Sequence, residues 1–130
     1  MTAAPELESI RNRYRETFGS VPHGIEDRLR VAHATGRLDV EETFATLRRL
    51  VLHESPLGTR TQQLVHVGQL LVLGRGGPAR LHARGALQAG ATLADLVGVA
   101  ETALITGGAP AYALGIEIVA ELFDAAEPPD

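Results

Sequence analysis

Leu81-His82-Ala83-Arg84-Gly85-Ala86-Leu87-Gln88-Ala89-Gly90-Ala91-Thr92 reads as the body of one short helix, its stop, and the start of the next. Gly90 takes the positive φ that ends a helix without steric cost, and Thr92 carries the oxygen that caps a new one. Upstream, Gly74-Arg75-Gly76-Gly77-Pro78 reads as a flexible connection, so the short helix is expected over about 79–89, with His82 and Arg84 near its beginning. Downstream, a helix is expected from Thr92 to Thr106, then a break at Gly107-Gly108, then a last helix from Pro110 to about Ala125. Pro110 sits in the first turn, where its missing N–H costs nothing.

The same punctuation recurs toward the N-terminus. Residues 5–18 place Leu7, Ile10, Tyr14 and Phe18 at spacings of three and four, one apolar stripe on a charged helix. Arg11, Arg13 and Arg15 are expected on its solvated face beside Glu8 and Glu16. After the Gly19–Pro22 turn, Ile25, Leu29 and Ala32 mark a second helix that ends at Gly36. Asp39 reads as the N-cap of a third, with Phe44, Leu47, Leu50 and Val51 on its apolar side and Arg48 and Arg49 opposite. That helix stops near His53-Glu54-Ser55-Pro56 because the residue before proline disfavours the helical region. Leu57-Gly58-Thr59 opens the next, with Leu64, Val67, Gly68, Leu71 and Val72 as its face. No stretch alternates with period two. The expectation is an all-α fold of six to seven helices in a single domain over 1–130, with N-terminal helices at 5–54, a core region at 55–125 and a tail at 126–130 that frays.

With 130 residues, 45% of them apolar and 22% charged, the chain is long enough to bury a core and has the make-up of a soluble globular domain. A net charge of −4 argues against nucleic acid or an anionic membrane as partner. All twelve basic residues are Arg, which removes Schiff-base chemistry. The absence of Cys removes disulfides and every thiol mechanism. The first nine residues lack a basic n-region followed by an apolar one, and no apolar run reaches 18 residues, so neither a signal peptide nor a membrane span is expected and a cytoplasmic location fits. From Ala91 to Ala120 the ionisable side chains are Asp95, Glu101, Tyr112 and Glu117. Helices this apolar need burial on more than one side, so a homo-oligomer with its interface in residues 92–122 is expected.

His82 is the leading catalytic candidate, able to act as acid or base near neutral pH. Arg84 is the second, a guanidinium that holds a carboxylate or enolate oxygen from the wall of a pocket. Glu101, set among apolar neighbours, must reach solvent or find a donor, with Arg80, His82 and Arg84 available. Gln63 and His66, with Gln62 and Gln69 beside them, line either a polar wall or the exposed face of an amphipathic helix. Gln63, His66 and Glu101 are therefore ranked as substrate-binding candidates. Without a local ligand spacing among its histidines and acids, the chain calls for no metal. The glycines at 74–77 lack the Lys-Ser/Thr of a phosphate loop.

The run from Ser55 to Leu122 resembles the carboxymuconolactone decarboxylase family, the all-α superfamily that includes the AhpD-type alkylhydroperoxidases. Leu64-Val65, Leu81 to Ala86, Gly90-Ala91-Thr92 with Asp95-Leu96, and Gly108-Ala109-Pro110-Ala111 carry the likeness, in family order. Tyr14-Arg15-Glu16-Thr17-Phe18-Gly19 and the helix over 39–52 match more loosely. The resemblance implies an AhpD-like helical subunit assembled as a trimer or hexamer. The peroxidase branch uses a Glu, a Cys-X-X-Cys and a His. Here Gln63, Arg75, Pro78 and His82 stand at those places, and without thiols that cycle cannot run. The decarboxylase branch works without a cofactor on a lactone acid, and its His-X-Arg block is matched by His82 and Arg84. Other polar positions of the family appear as Gln62, Thr102 and Thr106, which puts the original lactone in doubt. The resemblance thus implies a cofactor-independent lyase or isomerase acting on a small acidic, lactone or enolisable substrate. The alternative is a catalytically silent binding or assembly protein on the same scaffold.

Overall fold

A computed structural model describes residues 3–126 of the chain, with side chains from Pro5 onward; the tail over 127–130 lies outside the described residues. Seven helices follow one another: α1 (Ala3–Phe18), α2 (Ile25–Ala34), α3 (Leu38–His53), α4 (Thr59–Val72), α5 (Gly76–Gln88), α6 (Leu93–Gly107) and α7 (Ala109–Ala126). They fall into two compact units, Met1–Gly58 and Thr59–Asp130. Among the described residues there is no strand, and no helix is long and apolar enough to cross a membrane.

In the first unit the expected stripes of α1 and α2 form the interior. Ile10, Tyr14, Phe18, Ile25, Leu29 and Ala32 are all buried, as residues three and four apart on a helix must be when one face meets a neighbour. Tyr14 and Phe18 stack with centroids 6.3 Å apart. Arg11 binds Glu26 of α2 through two N–H···O contacts of 2.7 and 2.8 Å and also reaches Glu8. Arg15 likewise pairs with Glu8, whereas Arg13 donates to Thr46 Oγ1.

The third helix departs from expectation twice. Its N-cap is Arg37, not Asp39; Asp39 lies inside the first turn, where its carboxylate accepts the Val40 N–H at 3.0 Å. The residues that α3 buries are Ala45 and Leu52, while Phe44, Leu47, Leu50 and Val51 are 43–57% exposed. Within its own unit α3 packs on α1 and α2, and Ala45 and Leu52, seven apart, supply the line of contact. Arg48, expected opposite the apolar side, lays its guanidinium over the rings of Tyr14 (4.4 Å) and Phe44 (4.8 Å).

The second unit is built on small residues. Ala79, Ala83, Ala86, Ala100, Ala103 and Ala111 are buried together with Val67, Leu71, Leu96 and Ile118. Gly115 lets α7 approach α6 closely: a Cβ there would stand 2.6 Å from the Ala100 Cβ. The Gly90 stop forms as read. Gly90 has φ of 99°, its N–H bonds the Leu87 carbonyl, and the Ala91 N–H bonds that of Ala86, the paired bonds that satisfy the last carbonyls of a helix. Thr92 then caps α6 reciprocally: Thr92 Oγ1 accepts from the Asp95 N–H and the Asp95 carboxylate accepts from the Thr92 N–H.

One boundary moves. α5 starts at Gly76 with Arg75 as N-cap, so Gly76-Gly77-Pro78 is helix and not connection. The first turn of a helix has no intrahelical use for its N–H groups, so Pro78 fits there. The turn is confined to residues 73–75, where Gly74 with φ of 73° closes α4. His82 and Arg84 therefore sit in the middle of α5.

Candidate functional site

α4 and α5 pack along each other, and between them lies a cluster of three polar side chains. Gln63 is fully buried and His82 only 8% exposed. Their side chains meet at 2.8 Å, His82 Nδ1 to Gln63 Oε1. A carbonyl oxygen only accepts, so Nδ1 is the donor in this contact, and in the neutral ring the basic lone pair then lies on Nε2. The His66 ring lies against the His82 ring with centroids 3.8 Å apart and planes at 35°. His66 is one turn along α4 from Gln63, so both project toward α5.

The amide of Gln63 is only half used. Its Nε2 is buried without a hydrogen-bond partner among the described residues, as is Gln62 Oε1. Leaving a buried polar group unsatisfied costs about 1–3 kcal/mol, so this corner of the unit holds an N–H₂ donor and a carbonyl acceptor in reserve.

Of the five site residues expected from sequence, the fold gathers Gln63, His66 and His82. Arg84 and Glu101 stand exposed outside the cluster. Arg84 is about 200° round α5 from His82, since two residues separate them on a regular helix. Glu101 resolves its apolar surroundings by reaching solvent. The donor Arg80 instead binds Glu121 with contacts of 2.8 and 2.9 Å and reaches Glu117 at 3.6 Å, and this guanidinium holds the Glu121 carboxyl below its ordinary range. The row of glutamines on α4 divides: Gln69 is exposed, Gln62 is half-buried and Gln63 is in the interior. An exposed amphipathic face for all three is thus incorrect. The signal was present in the spacing, because Gln63 stands four before Val67 and eight before Leu71, the two core residues of α4.

A separate apolar groove, unmarked by any motif, runs between α4 and α6. It encloses about 780 Å³, and Leu64, Gly68, Val72, Val99 and Ala103 are among its lining. Arg60 reaches Asp95 at 4.0 Å, Gly68 lies opposite Val99 and Gly107 beside Val72, so the two helices run parallel. The groove opens on a different face of α4 from the Gln63–His66 side. Among the described residues no group of three or more His, Cys, Asp or Glu is placed to hold a metal ion.

Neither a curated protein nor a solved structure matches the chain with significance. A family model described as the carboxymuconolactone decarboxylase family matches residues 39–121, a span that begins in α3, takes in α4 to α6 and includes every residue of the buried cluster. The chain belongs to the carboxymuconolactone decarboxylase family.

Proposed function

We propose that the chain is a cofactor-independent acid–base enzyme acting on a small carboxylated lactone or enolisable acid, with His82 as the proton-transfer group. The observation that carries this reading is the buried His82–Gln63 pair. Gln63 Oε1 fixes the ring with Nδ1 protonated, which makes Nε2 the base, while the unpartnered Gln63 N–H₂ is a donor for the oxygen that gains charge as a proton leaves carbon or a carboxylate departs as carbon dioxide. One residue would both orient the base and hold the oxyanion. His66, face to face with His82, forms the wall beside it.

In this reading Arg84 acts from the exposed side of α5 toward a neighbouring subunit, and the 92–122 face is the proposed assembly surface; Ile105 at 85% exposure and Leu104 at 38% support it. The test is carbon dioxide release or ring opening on a panel of carboxylated lactones and β-keto acids. Wild-type protein should turn over at least one of them, and His82→Ala should lower that turnover by about 10²-fold or more with the helical circular dichroism retained. Equal turnover in folded His82→Ala protein, or no turnover on the panel by the wild type, would overturn the proposal.

A further inference from the structure

Val40, Phe44, Leu47 and Val51 form one row on α3, each 43–57% exposed. Their spacing of four, three and four keeps them on a single face over about 16 Å of helix. Soluble chains seldom leave such an aliphatic row in water, and this one has the pattern of a helix that lies against another helix.

The row is symmetric about its midpoint, between Ala45 and Thr46. Set antiparallel against a copy of itself, it brings Val40 to the partner's Val51 and Phe44 to the partner's Leu47, and the two-fold operation repeats both contacts. That self-complementarity is what a two-fold interface requires. The charges at the ends choose the same direction. Arg37 and Glu54, both exposed, flank the row at its two ends, and the antiparallel register places Arg37 opposite the partner's Glu54. A parallel arrangement would set Arg37 against the partner's Arg37 and Glu54 against the partner's Glu54, which like charge disfavours. The contact of Glu54 with Arg49 within the chain, 3.1 Å between half-exposed side chains, is of the weak kind that exchanges readily. The guanidiniums of Arg28 and Arg48 lie 5.2 and 4.8 Å from the Phe44 ring centroid, within cation–π range.

We propose that α3 is an antiparallel two-fold seam between two copies of this chain. The seam is independent of the assembly surface in 92–122 and of the chemistry at His82. It is tested on the full chain by sedimentation velocity and by cross-linking. The wild type should contain an even number of chains. Leu47→Glu, at a position 57% exposed and so harmless to the fold, should halve that number and raise the dissociation constant of the seam by more than about tenfold. Arg37→Glu should weaken the seam and Arg37→Glu with Glu54→Arg should restore it. Because the chain has no cysteine, introduced thiols report register cleanly. A mixture of Val40→Cys and Val51→Cys proteins should form a disulfide-linked heterodimer on mild oxidation, while Val40→Cys alone should not cross-link. A monomeric wild type, a mass unchanged by Leu47→Glu, a Val40→Cys homodimer, or no heterodimer in the mixture would each overturn the seam.

Discussion

The two units of this chain are assembled from different materials. In α1–α3, large side chains sit in the interior and charge pairs tie the helices together at the surface: Ile10, Tyr14, Leu29 and Leu52 are buried while Arg11 grips Glu26 and Arg28 grips Glu41. In α4–α7, alanines and Gly115 bring backbones close, and the polar side chains of Gln63 and His82 are inside. Large cores pack with tolerance and leave room for change, whereas a seam of small residues fixes helix positions to a fraction of an ångström. The family match spans the small-residue unit and only the third helix of the other. The small-residue unit is also the one that holds the His82 imidazole against the Gln63 amide.

That contrast can be broken by substitution, starting with the core. Leu71→Ala, at a site 1% exposed, should cost about 2–5 kcal/mol in urea unfolding, because alanine neighbours cannot move in to close the cavity. Next, Gly115→Ala meets the Ala100 Cβ at 2.6 Å and its Cα at 3.3 Å, and should cost about 1–3 kcal/mol. The control is Gly98→Ala in α6, where an added Cβ meets nothing within 4 Å; there the better helix former should stabilise by about 0.5–1 kcal/mol. Equal effects at the two glycines would contradict the close-packed seam.

Smaller effects come from the caps and charges. Thr92→Ala should cost about 1 kcal/mol by removing the α6 cap. Its partner carboxylate, Asp95, is held below its ordinary range first by the Thr92 backbone N–H and then by the Thr92 hydroxyl and Arg60. A depressed folded pKa means that its contribution is complete above the unfolded value of about 4 and is lost as pH falls through the lower folded value. Asp95→Asn should therefore flatten the loss of stability in that acid window, measured by urea midpoints across pH. In the first unit, Glu26→Gln should cost less than about 1 kcal/mol, and that cost should shrink in high salt, since Glu26 is more than half exposed. A salt-insensitive loss of several kcal/mol there would erase the distinction between the units.

Much of this was legible in the residues. The stripes of α1 and α2, the Gly90 stop and the Thr92 cap depend on neighbours within four or five positions, and local rules reached them. On α3 the best apolar row and the buried row differ, and the packing within the first unit decides which one faces α1 and α2. Gly76-Gly77-Pro78 reads as a connection because glycine and proline are breakers in a helix interior, yet both are tolerated in a first turn. At the site, His82 was visible as a polar residue in an apolar half. Its bond to Gln63 spans 19 positions and depends on how α4 lies along α5. Arg84 paired with His82 in the sequence motif and parted from it in space by the turn of the helix.

The central claim is that Gln63 holds His82 with the proton on Nδ1 and the basic lone pair on Nε2. Long-range proton–nitrogen NMR on the imidazole of His82, at a pH where the ring is neutral, reads this directly. The account predicts a ring nitrogen pattern with Nδ1 protonated and Nε2 unprotonated, collapsing toward the ordinary tautomer mixture in Gln63→Ala. A His82 ring protonated on Nε2 in the wild type, or a tautomer unaffected by the loss of the Gln63 amide, would contradict it.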